Sequence, residues 1–145
     1  MITAIFVIVM MASLTALIQN VTGKTIKATT QQYQKEQATL LARSYTELAL
    51  LYVSSYDRSV DCINSINAHF GDINNGYKIK MNIRYIGKES ELPTNCVGNK
   101  FTLINGGTTF EQSMSLIIDT YVTYKDFDDP SNRNTTFHRR TLQKI

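Results

Sequence analysis

The chain has 145 residues, two cysteines, two histidines and a formal net charge of +3. That length allows one modest core behind an N-terminal extension, but not two. The mild charge excludes a highly basic nucleic-acid binder, and two cysteines without CxxC or Cys/His spacing exclude a zinc module or a dithiol redox centre.

The run Met1 to Ile18, MITAIFVIVMMASLTALI, carries no charged side chain, and the first ionisable side chain is Lys24. As a helix rising about 1.5 Å per residue, it spans roughly the 30 Å hydrocarbon core of a bilayer. A cleavable signal peptide opens on basic residues and ends at a small-residue site. A plain anchor has basic residues on its cytoplasmic side. Neither pattern is present, so the run is read as the start of a processed chain. Its side chains Ile2, Ile5, Phe6, Val7, Ile8, Val9, Leu14, Leu17 and Ile18 should lie in lipid or against copies of the same helix.

From Lys24 to Tyr52 there is no proline or glycine. Apolar residues recur at helical spacing at Leu41, Tyr45, Leu48 and Leu51 or Tyr52, with Leu40, Ala42, Leu50 and Val53 widening the stripe. Lys35, Glu36, Arg43 and Glu47 occupy the other side. One helix is therefore predicted from Met1 to about Ser54. Its weak point is the β-branched stretch from Val21 to Thr30 around Gly23, a tolerated polar hinge or a segment able to lose helical structure. Residues 1–23 form the apolar helix, 24–54 its amphipathic continuation and 55–145 a globular head.

The head begins with a short predicted helix from Val60 to His69, which would place His69 at its end. Strict alternation from Tyr77 to Ile86 predicts a half-buried antiparallel strand, with Tyr77, Ile79, Met81, Ile83 and Tyr85 inward. Further strands are expected at Phe101–Ile104, Ser113–Tyr124 and Thr135–Leu142. Turn residues separate them at Gly71-Asp72, Asn74-Asn75-Gly76, Asn105-Gly106-Gly107 and Asp129-Pro130. The fold class is α+β, with the amphipathic stripe packed on one face of a small antiparallel sheet.

Cys62 and Cys96 are read as a disulfide closing a loop of about 35 residues, a staple suited to a small head outside the cytoplasm; two buried thiols are the alternative. Asp126, Asp128 and Asp129, with Ser131 and Asn132, gather oxygen ligands that suit calcium or make an ordinary turn. Arg133, Arg139, Arg140 and Lys144 are read as a solvated strand end, with DNA binding as the minority reading, and no nucleic-acid partner is expected. No phosphate loop, nucleophile elbow or HExxH occurs, so neither catalysis nor a bound cofactor is expected.

A helix uncharged for eighteen residues, then amphipathic through Gln37-Ala38-Thr39-Leu40-Leu41-Ala42-Arg43-Ser44-Tyr45-Thr46-Glu47-Leu48-Ala49-Leu50, and followed by a small β-rich head, resembles type IV pilins and type II secretion pseudopilins. The chain departs from that family at Thr3, Ala4, Ile5 and Phe6, where most members carry a glutamate, and it has Gly23 where many have a helix-breaking proline. The resemblance implies a structural subunit held first in the inner membrane of a Gram-negative bacterium. The pilus assembly machinery would then build it, with copies of itself or related pilins, into a periplasmic or extracellular filament used for adhesion or secretion. The resemblance also favours calcium near the C-terminus. The rival from another class is a single-pass, membrane-anchored binding module whose apolar run is only a tether.

Overall fold

A computed structural model describes residues 2–56, 62–87, 100–102, 115–126, 131 and 133–144. Among these, one helix, α1 (Ile2–Ser55), precedes five strands: β1 (Ser65–Phe70), β2 (Tyr77–Gly87), β3 (Lys100–Thr102), β4 (Ser115–Lys125) and β5 (Asn134–Lys144). The sheet order is β1-β2-β4-β5, all antiparallel, and β3 adds a short parallel pairing to the end of β2. The class is α+β.

α1 is 54 residues long, about 80 Å at helical rise. It passes through Gly23 without a break. The hydroxyls of the β-branched stretch close onto the helix itself. Thr22, Thr25, Thr29 and Thr30 each donate to the carbonyl four residues earlier, at 2.8 to 3.1 Å. Ser13 donates to the Met10 carbonyl three residues back and Thr15 to the Met11 carbonyl four residues back, both at 2.8 Å. These polar groups are satisfied without water, so they add little cost in an apolar environment.

The side of α1 that meets the sheet differs from the expected stripe. Gln34, Ala38, Ala42, Thr46, Ala49 and Val53 are buried, at helical spacing. Leu41 and Tyr45 are only half-buried, while Leu40 and Leu51 are 60% and 65% exposed and Leu48 and Tyr52 also face outward. The reason lies across the interface. The sheet presents Ile79, Met81, Ile83, Tyr85, Leu116, Ile118, Val122 and Tyr124, whose bulk fills the space between the layers. The helix can approach only with small side chains, since interiors are packed to near-crystal density. Polar contacts then fix its position along the strands. Thr46 Oγ1 and Thr120 Oγ1 lie 3.0 Å apart in the core, Gln34 Nε2 donates to the Lys125 carbonyl at 3.2 Å, and the Tyr77 hydroxyl donates to Gln37 Oε1 at 3.0 Å.

The short helix expected over Val60–His69 is also corrected. Residues 62–64 have no regular structure and Ser65–Phe70 is strand β1. Ile66, Ala68 and Phe70 repeat every second residue, a strand period, and pair with Met81, Ile79 and Tyr77. The turn between β1 and β2 makes the pairing possible. Gly71 has φ +83°, and a side chain on Gly76 would strike the carbonyl oxygens of Phe70 and Asp72, so both positions need glycine. His69 therefore sits in a strand opposite Lys78.

Replacing Ala42 with leucine should destabilise the head by about 1–3 kcal/mol through overpacking against the sheet. Leu40→Ala on the outward side should stay within about 0.5 kcal/mol of the parent. Denaturant unfolding of the full chain in detergent, followed by circular dichroism, measures both.

Candidate functional site

Two surfaces carry the chemistry of this fold: the uncovered helix and the outer face of the sheet. By length and composition α1 can cross a membrane, with a most apolar window of mean hydropathy 2.1 that nothing in the structure covers. Ile5, Phe6, Val7, Ile8, Val9, Leu14, Leu17 and Ile18 are all between 52% and 67% exposed. Ile2 begins the helix. Below this rod a second apolar row continues on the side away from the sheet: Ile26, Tyr33, Leu40 and Leu51, all exposed. Spacings of seven, seven and eleven residues keep them on one side of a 3.6-residue helix. Sequence reasoning assigned Leu40 and Leu51 to the core-facing stripe and so missed this row. A size comparison with the bulky strand residues was the available signal.

The outer sheet face is set by strand alternation. Residues opposite one another in register share a face. Thr120 meets the helix, so Asp119 points away from it. Asp119 is nevertheless 0% exposed, the one outward position on β4 that is fully covered. Arg140, directly opposite on β5, donates to it through Nε at 2.7 Å and Nη2 at 3.0 Å. His138 Nε2 lies 2.9 Å from Oδ1, and Arg84 Nη2 lies 4.0 Å from Oδ2. The His138 ring stacks on Tyr121 at 4.5 Å between centroids, nearly parallel. These residues are scattered along the chain, and only the register brings them together.

Electrostatics follow from this geometry. The Arg140 hydrogen bonds hold the Asp119 carboxyl below its ordinary value; burial opposes them, and the His138 hydrogen bond adds to them. Asp119 therefore stays ionised under the cations. The Tyr77 and Tyr124 phenols are pushed up, chiefly by burial, and remain neutral around pH 7.

The other expected site residues are placed as follows. Asp126 follows β4, and its Oδ2 accepts from Gln31 Nε2 at 2.9 Å. Asp128 and Asp129 lie outside the described residues. Among the described residues no group of three His, Cys, Asp or Glu side chains is placed to hold a metal. Asp126 instead lines a groove of about 280 Å³ with Gln31, Gln34, Lys35, Tyr124 and Thr135, where the buried Gln34 Oε1 has no hydrogen-bond partner. Cys62 is buried and disulfide-bonded; Cys96, the other cysteine in the sequence, lies outside the described residues. Arg139 and Arg140, neighbours in sequence, fall on opposite faces of β5, so the basic C-terminal cluster divides between the two sides of the sheet.

No protein-family model matches this chain, and no curated protein or solved structure matches it.

Asp119→Ala should destabilise the head by about 1–3 kcal/mol at neutral pH, because the guanidinium and imidazole donors lose their shared buried acceptor. The pH dependence has a definite sign. A carboxyl with a lowered folded-state pKa contributes stability above its ordinary value of 3.8, and loses it as pH falls through the folded value. Melting temperature plotted against pH should therefore fall on acidification below about pH 4 for the parent, and fall less steeply for D119A.

Proposed function

We propose that this chain is a structural subunit that assembles through α1 into a filament of the type IV pilus or type II secretion kind. The observation that carries the reading is the bare apolar rod from Ile5 to Ile18, on the same unbroken helix that also leaves Ile26, Tyr33, Leu40 and Leu51 exposed on the side away from the sheet. A membrane tether needs only the first part. The second part lies beside the head, beyond any bilayer that holds the rod. It sets four large apolar side chains among exposed Glu36, Arg43 and Glu47.

Before assembly the rod lies in the inner membrane with the head on the extracytoplasmic side. On assembly it exchanges acyl chains for neighbouring helices. Apolar burial is nearly equal in the two states, so close packing decides the exchange, helped by Ala4, Ala12, Ser13 and Ala16. The internally bonded hydroxyls of Ser13, Thr15 and Thr22 impose no desolvation cost on either side. The outward row then packs on a neighbour's helix below the heads. The small-residue stripe is already used by the subunit's own sheet, so the large outward residues are left for the neighbour.

The test is electron microscopy of the full chain after removal from detergent, alone and co-expressed with pilus assembly components. Filaments are expected for the parent. Leu40→Glu should abolish or shorten them while leaving the head's melting transition unchanged. A parent that stays monomeric in every one of these conditions, or an L40E variant that assembles as well as the parent, would overturn the reading in favour of the tether.

A further inference from the structure

Where α1 meets the end of β4 and the start of β5 lies the groove of about 280 Å³ lined by Gln31, Gln34, Lys35, Tyr124, Asp126 and Thr135. Tyr124 and Thr135 are partners in register, so their side chains share one face of the sheet, about 5 Å apart at Cβ. The next residue on β4, Lys125, accepts through its carbonyl from Gln34 Nε2 at 3.2 Å. That bond sets Gln34 beside the pair and fixes its amide, because a flipped amide would place oxygen against oxygen. Oε1 is the group left over. It is buried and receives no hydrogen bond, in a residue only 3% exposed. An unmet buried acceptor is a standing cost, and an occupant that brings an N–H donor removes it. The side-chain hydroxyls of Tyr124 and Thr135 also have no hydrogen-bond partner among the described residues.

Charge in the groove comes from Asp126 and Lys35. Asp126 Oδ2 already accepts from Gln31 Nε2 at 2.9 Å, and the residue makes a further interaction, so it acts as a fixed charge in the wall and not as a ligand. Its field reaches the site: after burial, Asp126 is what pushes the Tyr124 phenol up. Lys35 is exposed and has no ion-pair partner among the described residues. We infer that this groove binds a small α-amino acid, its ammonium at Gln34 Oε1 and its carboxylate at Lys35. An ammonium brings three N–H donors and no acceptor, one each for Gln34 Oε1, Tyr124 Oη and Thr135 Oγ1. The field of Asp126 favours that cation over a neutral donor. A carboxylate on the same molecule gives Lys35 the counter-charge it lacks. Size agrees: ligand cavities run from about 300 to 1,000 Å³, so this groove suits a molecule of few atoms. A lone water would serve Oε1 but leave Lys35 unpaired, and a simple alkylamine would add a second cation beside it. The groove lies on the sheet side of α1, away from Leu40 and Leu51, so the inference holds whether or not the chains assemble.

The test is isothermal titration calorimetry of L-alanine into the full chain in neutral detergent at neutral pH. N-acetyl-L-alanine, which lacks the ammonium, and L-alaninamide, which lacks the carboxylate, are the comparison ligands. Saturable binding of L-alanine is expected, with the acetylated compound weaker by about tenfold or more. Lys35→Met, at an exposed position, should leave the melting temperature unchanged, weaken L-alanine by about tenfold and leave L-alaninamide as it was. Tyr124→Phe and Thr135→Val each remove one hydroxyl and should each weaken L-alanine several-fold. Gln34 is kept in every variant, because its bond to the Lys125 carbonyl also supports the fold. The inference is overturned by any of four results: no saturable binding of L-alanine; N-acetyl-L-alanine binding as tightly; a K35M variant that binds L-alanine like the parent; or Y124F and T135V variants that both do so.

Discussion

The structure depends on the close approach of α1 to the sheet along Ala38, Ala42, Thr46, Ala49 and Val53. Bulky strand residues occupy the space between the layers, and the helix supplies little more than methyl groups. The division of bulk fixes the helix's rotation about its own axis. Once the small residues face the sheet, Leu40 and Leu51 must face outward, because side chains separated by about half a turn cannot both reach one partner. The apolar exterior of the helix is thus a consequence of how the core is packed. The Thr46–Thr120 hydroxyl pair in the middle of the interface resists sliding, since a shift would leave the buried Thr120 hydroxyl unmatched, while Thr46 keeps its bond to the Ala42 carbonyl.

The rod beyond the head raises a different problem. Nothing in the subunit covers the side chains from Ile5 to Ile18. Burying a single Val, Leu, Ile, Phe or Met side chain is worth about 1.5–3 kcal/mol. Ten such residues in the rod represent on the order of 20 kcal/mol, more than the roughly 5–15 kcal/mol that holds a typical domain together. A rod this apolar gains from any surrounding that removes it from water. The backbone is already satisfied along the helix, as are the hydroxyls that interrupt the run, so the rod can pass from one apolar surrounding to another without exposing a polar group.

Much of this architecture was legible from residue patterns, and the parts that were not share a cause. The unbroken α1 followed from the absence of charge and then of proline. β2 followed from strict alternation between Tyr77 and Tyr85, and β4 and β5 lie close to where β-branched runs placed them. β1 was misread because Ser65–Phe70 is too short for its period to stand out, and the glycines that fold it onto β2 act through backbone geometry. The facing side of the helix was misread because hydrophobicity ranks leucine above alanine, whereas the interface selected for size. The Asp119 cluster was illegible for a further reason. Arg84, Asp119, His138 and Arg140 span more than fifty positions, and no local pattern marks them as neighbours. Only the pairing of Asn82 with Asp119 and of Asp119 with Arg140 brings them together.

That pairing also explains why a carboxylate sits fully covered on the polar side of a sheet. Alternation makes register all-or-none, and a slip of one residue turns every side chain to the opposite face. If β4 slipped in this way, Asp119 would enter the layer occupied by Thr46 and the helix alanines, opposite Thr141 for a slip in one direction and Arg139 for a slip in the other. Arg140 would face Thr120 or Ile118 instead of a carboxylate. An unpaired buried charge costs several kcal/mol, which penalises the slip that sets Asp119 opposite Thr141. The native register gives Asp119 two bonds from the residue directly opposite and a third contact from His138. Asp119 thus favours the native register through its bonds to Arg140 and His138. It holds β4 and β5 in the one alignment that turns the bulky apolar row toward the helix and the basic row toward solvent, so the face that receives the helix and the face that gathers cations are set by a single choice of register.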